Sequence, residues 1–228
     1  MGYLANHFAR VTASRQAAAS ADPQATEAEA QRTQYERMLL LLDTHQQQLR
    51  NMQSIEARAA HKAKLLPEYA AYLDGVIEAG KSQQDNVLVT LMLWHFDCGE
   101  IDRALVLAEA ALASGMAMPD QHKRSLPCVV VEETAELLLA GKGVESAEQA
   151  IAFADRAAGL TEGKDMPDAV RAKLLKALGR AQREQFPTDP ALALKTLQRA
   201  LELDKNVGVK KDIEQLERAI RNAANAGD

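Results

Sequence analysis

Apolar side chains recur every three or four residues between Arg32 and Leu65, a stretch that contains neither glycine nor proline. Two polar residues fill the gaps in this register, and its main apolar positions are Met38, Leu41, Met52 and Ile55. Such spacing predicts one long helix whose apolar seam packs against another helix. We expect this helix to join copies of the chain into a homo-oligomer.

From residue 82 onward, apolar stretches of helical length alternate with short breaks rich in Gly, Pro and Asp. The pattern predicts helices near 83–97, 101–114, 129–140, 145–158, 168–184, 190–203 and 208–224. Helices joined by short connections pack as antiparallel hairpins. Met-Pro-Asp recurs at 118–120 and 166–168, and DPALALKTLQRALELD resembles the second helix of a tetratricopeptide unit. We therefore predict an all-α fold, with a long N-terminal helix followed by stacked helix hairpins in a tetratricopeptide-like α-solenoid.

The domain organisation follows from the same pattern. Residues 12–31 are small and polar with a single proline, so they bury too little apolar surface to order themselves. We expect a flexible N-terminal arm over 1–31. The long helix and a short helix ending at Gly80 occupy 32–80, the helix-hairpin stack 81–224 and a tail 225–228.

Composition narrows the class of protein. A net charge of −5 with 26% charged residues is typical of a soluble protein and argues against a uniformly basic nucleic-acid coat. Cys98 and Cys128 are too few for a disulfide framework, which favours a reducing cytoplasm. The longest apolar run, 87–96, is too short to cross a bilayer, and we see no signal peptide. We expect an intracellular protein with no membrane partner.

No motif carries recognisable catalytic or cofactor chemistry. The phosphate-binding pattern GxxxxGK[ST] is absent, and the five histidines lack the paired spacing of a metal site. Carboxylates that could hold a divalent cation form three groups: Asp97, Glu100 and Asp102 in one turn, Glu132, Glu133 and Glu136 on one helix, and Asp165 with Asp168. A helix-dipole turn and a solvated helix face explain them more simply. We expect no metal, no cofactor and no catalytic residue.

Two basic stripes are more informative than the carboxylates. The first lies on one broad arc of a helix and comprises Arg50, Arg58, His61, Lys62 and Lys64. The second lies beside an apolar helix face and comprises Lys173, Lys176, Arg180 and Arg183. Either could follow a DNA phosphate backbone, and neither has the interleaved aromatic residues that stack on single-stranded bases. The alternative is a solvated face that keeps the protein soluble.

One segment of the chain is more specific than the rest. Met92, Leu93 and Trp94 close an apolar helix, and Asp97-Cys98-Gly99-Glu100 follows as a tight turn. Further segments add to this pattern along the chain, at 35–39, 65–67, 118–119, 132–133, 166–168, 171–174, 208–211 and 216–218. Together they resemble the GpM-type small terminase subunits of temperate tailed phages, also called the terminase "endonuclease subunit" family.

The resemblance implies a function that the residue chemistry alone does not. It implies a subunit in the bacterial host cytoplasm that recognises the packaging site on double-stranded phage DNA. Such a subunit assembles as a ring-like homo-oligomer and presents the DNA to the large terminase subunit, which holds the ATPase and nuclease. Two alternatives stay open: a tetratricopeptide-like scaffold that binds only protein, and a metal-dependent nuclease.

Overall fold

The computed structural model describes residues 23–80, 83–119, 124–187 and 189–226. The α-helices are α1 (Pro23–Arg50), α2 (Ile55–Leu65), α3 (Ala70–Ala79), α4 (Asn86–Asp97), α5 (Ile101–Ala113), α6 (Leu126–Leu139), α7 (Ala147–Leu160), α8 (Asp168–Gln185), α9 (Pro190–Leu203) and α10 (Lys210–Ala226), with a 3-10 helix at Leu66–Tyr69. All regular structure in these ranges is helical, which confirms the all-α prediction. Within the same ranges, no helix is long and apolar enough to span a membrane.

The helices of the hairpin region were predicted to within three residues at each end. The largest differences are at the start of α4, predicted at 83 and found at 86, and of α6, predicted at 129 and found at 126. Asp85 fixes the start of α4, because its Oδ1 accepts a hydrogen bond from the Leu88 amide at 2.9 Å. Proline in the first turn of α6 suits its earlier start.

The single long helix predicted over Arg32–Leu65 is wrong. Helix α1 begins earlier, at Pro23, and ends at Arg50, and α2 begins at Ile55 after a four-residue break. Ser54 caps α2, since its hydroxyl accepts a hydrogen bond from the Ala57 amide at 3.2 Å. A serine before a helical stretch is a start signal, and this one was outweighed by the apolar spacing.

The break also changes the prediction of a seam, which relied on a continuous helix. Met38 and Leu41 lie on α1, whereas Met52 lies in the connection and Ile55 is the first residue of α2. The four side chains therefore do not form one continuous helical seam. Residues 23–31 of the predicted arm belong to α1, and residues 1–22 lie outside the described residues.

The chain divides into two compact units, Met1–Gln46 and Gln47–Asp228. The described part of the first unit is the α1 segment up to Gln46, in which Leu40 is exposed and Met38 and Leu41 are half-buried. The second unit contains the end of α1 and all the later helices.

In the second unit, each helix packs mainly on helices one or two positions away along the chain. Helix α4 packs on α5 and α6, α5 on α7, and α6 on α8. Helix α4 is buried almost all round, including Val87, Leu91 and Trp94. At the C-terminal end, α10 turns Ile213 and Leu216 towards α9. This order of contacts places α2 and α4 beside each other at the N-terminal end of the second unit.

Candidate nucleic-acid interface

The first basic stripe divides into free and engaged side chains. Arg50, in the last turn of α1, and Arg58 and Lys64, on α2, are exposed. Among the described residues, we find no hydrogen bond or ion pair for these three cations. His61 is different, because its Nε2 lies 3.1 Å from Oε1 of Gln48 and links α2 to the end of α1.

Lys62 is held inside the protein rather than presented to solvent. Its side chain is only 16% exposed and forms an ion pair with Asp97 at the end of α4. Its ammonium also lies 5.6 Å from the ring centroid of Trp94, within cation–π range. Trp94 in turn meets Tyr69 edge-on, with centroids 6.3 Å apart. The surface on which α2 docks is therefore the segment that the sequence analysis singled out, Met92–Trp94 and the turn that follows it.

A second tie supports the same junction. The Cys98 thiol donates a hydrogen bond to the Ala59 carbonyl of α2 at 3.4 Å. Burial raises the pKa of Cys98 to about 11, with Glu100 and Asp97 adding to the effect. The thiol is therefore protonated at neutral pH, which is the state of a structural cysteine rather than of a nucleophile.

All four members of the second basic stripe have partners within the protein. Lys173 pairs with Glu136 of α6 at 2.6 Å, and the Lys176 ammonium donates to the Val207 carbonyl at 2.8 Å. Arg180 donates twice to Asp212 of α10, from Nε at 3.1 Å and Nη2 at 2.9 Å, and Arg183 reaches the other oxygen at 3.4 Å. These contacts tie α8 to α6 and to α10.

We expect a variant with Arg180→Gln and Arg183→Gln to lose stability and to bind duplex DNA no more weakly than the wild-type chain. Asp212 is mostly buried and would lose both cations, which costs about 1–2 kcal/mol for a charge-assisted contact of this kind. Urea unfolding measures the first effect, and fluorescence anisotropy with labelled duplex DNA the second. A variant that folds normally but binds duplex DNA much more weakly would show that this stripe contacts DNA.

Carboxylates from two of the groups found in the sequence meet in the fold. Asp97, Glu133 and Glu136 border one groove of about 630 Å³ between α2, α4 and α6, together with Glu56. Asp97 and Glu136 are already paired with Lys62 and Lys173. Burial, then the nearby Glu136 and Asp97, raise the pKa of Glu133. This grouping depends on tertiary packing, so no sequence spacing could have revealed it.

The other members of these two groups have structural partners. Glu100 binds His95, Asp102 accepts from Arg156 at 3.1 Å, and Glu132 pairs with Arg124. In the part of the chain that the structure describes, no three His, Cys, Asp or Glu side chains are placed to hold a metal ion.

His95 makes the stability of the fold sensitive to pH. Burial lowers its pKa, against the raising effect of the hydrogen bond between its Nδ1 and Glu100 at 2.6 Å. Below pH ~6.5 the unfolded chain therefore binds this proton more readily than the folded one. The contribution to stability is complete above that pH and is lost as the pH falls towards the folded pKa.

We expect this loss to approach at most about 1.4 kcal/mol per pH unit. The variant His95→Gln lacks the titrating group, so its stability should fall less between about pH 7 and pH 5. Urea unfolding of both proteins at several pH values gives the difference. Parallel stability curves for the two proteins would contradict the assignment.

Comparisons with known proteins place this arrangement in a family. The model of the phage small terminase subunit matches residues 39–169, which include α2 and its docking surface. The chain is 42% identical over 191 residues to the "Terminase, endonuclease subunit" of Escherichia phage P2, covering 83% of this chain and 75% of that protein. It is 26% identical over 180 residues to the "Probable terminase, endonuclease subunit" of Haemophilus phage HP1, covering 72% and 62%.

No solved structure matches the chain significantly. The family model covers more than half of the sequence, and the phage P2 relative is matched over most of both chains. The resemblance found in the sequence is therefore confirmed: the chain belongs to the phage small terminase subunit family.

Proposed function

We propose that the chain is the terminase subunit that recognises double-stranded viral DNA at the packaging site and assembles with the large terminase subunit. Membership of the family gives it a role in phage DNA packaging. DNA recognition and the contact with the large subunit, which holds the ATPase and nuclease, are the proposed steps. They take place in the cytoplasm of the bacterial host.

The observation that carries the DNA proposal is the difference between the two basic stripes. Arg50, Arg58 and Lys64 have exposed charges that the described protein does not neutralise. The four cations of the second stripe form ion pairs with Glu136 and Asp212 and a hydrogen bond with the Val207 carbonyl. Free cations release condensed counterions when they meet phosphates, whereas paired cations must first give up a partner. We therefore propose that the first stripe contacts DNA, and the second stripe, Lys173–Arg183, is the alternative contact.

We propose that this subunit is not itself a nuclease, although its relatives carry the name "endonuclease subunit". Two of the four carboxylates that border the groove, Asp97 and Glu136, are paired with lysines. Metal-dependent hydrolysis of a phosphodiester needs clustered carboxylates that are free to hold the divalent metal. The check is incubation of the isolated chain with duplex DNA and magnesium. Cleavage that disappears in a Glu133→Gln, Glu136→Gln variant would make the chain an enzyme.

A protein-binding scaffold is the second candidate function. Its support is that α4 to α8 pack mainly on helices one or two positions away along the chain, as the units of a repeat protein do. The groove between α2, α4 and α6 offers such a scaffold a concave face. A scaffold with no DNA role predicts no salt-dependent affinity for duplex DNA.

Self-association is part of the proposal. Ile55 is 82% exposed and Leu40 59% exposed, so both side chains offer apolar surface to another copy of the chain. We propose that Met38, Leu41, Met52 and Ile55 contribute to contacts between copies in a ring-like homo-oligomer. Native mass spectrometry of the purified chain tests this, with Leu41→Asp and Met52→Asp as the variants expected to reduce the particle mass.

The experiment that decides between the two functions is duplex binding over a range of salt concentrations. The DNA-recognition proposal expects affinity that falls linearly on a log–log plot, and tighter binding to packaging-site DNA than to unrelated duplex. Phosphate contacts position a protein without reading sequence, so the preference requires base-edge contacts or DNA shape. Absence of binding even at low salt would leave the scaffold function.

A further inference from the structure

We infer that Lys62 is a positioning residue that holds α2 against α4, and that it does not contact phosphate although it lies in the middle of the basic stripe. The inference rests on the proposed DNA function for its consequence, but its structural part can be measured without DNA. It separates Lys62 from Arg58 and Lys64, which the sequence pattern places in the same stripe.

Helix α2 has little apolar surface with which to hold itself in place. Its sequence is IEARAAHKAKL, and Leu65 is its only buried residue. An isolated helix of eleven residues is marginal in water, so its stability depends on docking. In the second unit, the described contacts of α2 are chiefly with α4 and the 3-10 helix.

Lys62 supplies the contact that the missing apolar face does not. Its aliphatic stem is buried, its ammonium pairs with Asp97, and the same ammonium lies over the Trp94 ring. Trp94 is itself only 4% exposed and fixed by Tyr69, so Lys62 binds to a rigid surface. The Cys98–Ala59 hydrogen bond reinforces the position from the same end of α4.

Moving Lys62 outward to a phosphate would break this arrangement. Asp97 would then remain in the groove near Glu133 and Glu136 without its cation. The ammonium would also leave the face of Trp94. The DNA contact would therefore have to replace two existing interactions of Lys62, whereas Arg58 and Lys64 give up nothing. The stripe thus contains phosphate contacts and the residue that orients them.

The variant Asp97→Asn separates the two roles by the sign of its effect. If Lys62 were a DNA contact restrained by Asp97, releasing it would raise duplex affinity and steepen the salt dependence. For a positioning residue, affinity falls because α2 is docked for less of the time. A docked fraction of about one tenth weakens binding roughly tenfold, since apparent affinity scales with the binding-competent fraction.

Substitutions of Lys62 itself provide the second measurement. Lys62→Met should weaken binding with a change in log–log salt slope well below one unit, whereas Arg58→Gln should lower the slope by about 0.9. Lys62→Arg should retain most of the affinity, because arginine can form both the ion pair and the cation–π contact. Lys142→Gln is the matched control, since Lys142 is an exposed lysine that borders the same groove.

Amide hydrogen exchange measures the docking of α2 directly and requires no DNA. We expect faster exchange over residues 58–65 in Asp97→Asn and Lys62→Met, and wild-type rates in Lys142→Gln. Unchanged exchange in both junction variants would overturn the inference, as would a gain of duplex affinity in Asp97→Asn. If the wild-type chain bound no DNA, the exchange result would still decide whether Lys62 holds α2.

Discussion

Changing Arg50, Arg58 and Lys64 together to Gln is expected to remove most of the salt-sensitive part of duplex binding. Each phosphate contact adds nearly one unit to the slope of log affinity against log salt, so three contacts add about 2.7 units. Between 50 and 200 mM salt, the wild-type chain should then lose affinity roughly forty-fold more than the variant. Fluorescence anisotropy titrations at four or five salt concentrations measure both slopes.

The control for this variant must carry the same change of charge. Lys195, Lys205 and Lys210 are exposed lysines far along the sequence from α2, and their change to Gln also removes three positive charges. We expect this control to keep nearly the wild-type salt slope. Because phosphate contacts carry no sequence information, the main variant should weaken specific and unrelated duplexes alike. If the two variants had equal slopes of log affinity against log salt, the DNA contact would not lie on α2.

The helices of the hairpin region were predictable because their signals are local. Glycine, proline and aspartate lie at most ends of these helices, and the apolar run of α4 predicts a buried helix. The break at residues 51–54 is hidden in the sequence because Met52 and Ile55 continue the apolar spacing of α1 across it. Only the Ser54 cap marked it, and a single serine weighs little against a regular pattern.

The site was less predictable because charge patterns do not record partners. Lys62 and Lys64 are two residues apart in the sequence, yet one is mostly buried on Trp94 and the other is exposed. In the sequence, Arg180 and Arg183 belong to a stripe with no acidic neighbours. In the structure, Asp212 of α10 lies against them, although α10 begins 27 residues beyond Arg183. A helical wheel orders residues around one helix only, and the neutralising groups here lie on other helices.

Gly143→Ala is expected to be the most destabilising small substitution in the hairpin stack. The turn after α4 and the turn after α6 both end their helices with a left-handed glycine, and these turns touch each other. A Cβ on Gly143 would lie 2.2 Å from the Gly99 carbonyl oxygen and 3.1 Å from Cγ1 of Ile101. The first of these atoms is backbone, so relief requires one turn to move.

The expected cost combines two terms. A non-glycine residue at the φ of +71° found here costs about 1–2 kcal/mol, and overpacking against backbone adds roughly 1–3 kcal/mol. A loss of about 3 kcal/mol would lower the midpoint of thermal unfolding by roughly 6–12 °C in a chain of this length. Differential scanning calorimetry or circular dichroism measures the shift.

Gly141→Ala separates the two terms within the same turn. Gly141 has a similar φ of +63°, but nothing lies within 4 Å of the position that its Cβ would occupy. It should therefore show the backbone cost alone, about 1–2 kcal/mol. The difference between the two variants then measures how tightly the α4–α5 turn presses on the α6–α7 turn. Since the α4–α5 turn also carries Asp97 and Cys98, a loosened Gly143→Ala protein should exchange its α2 amides faster, and Gly141→Ala should not. Equal stability of the two variants would mean that the turns separate at little cost and that the docking surface for α2 does not depend on their contact.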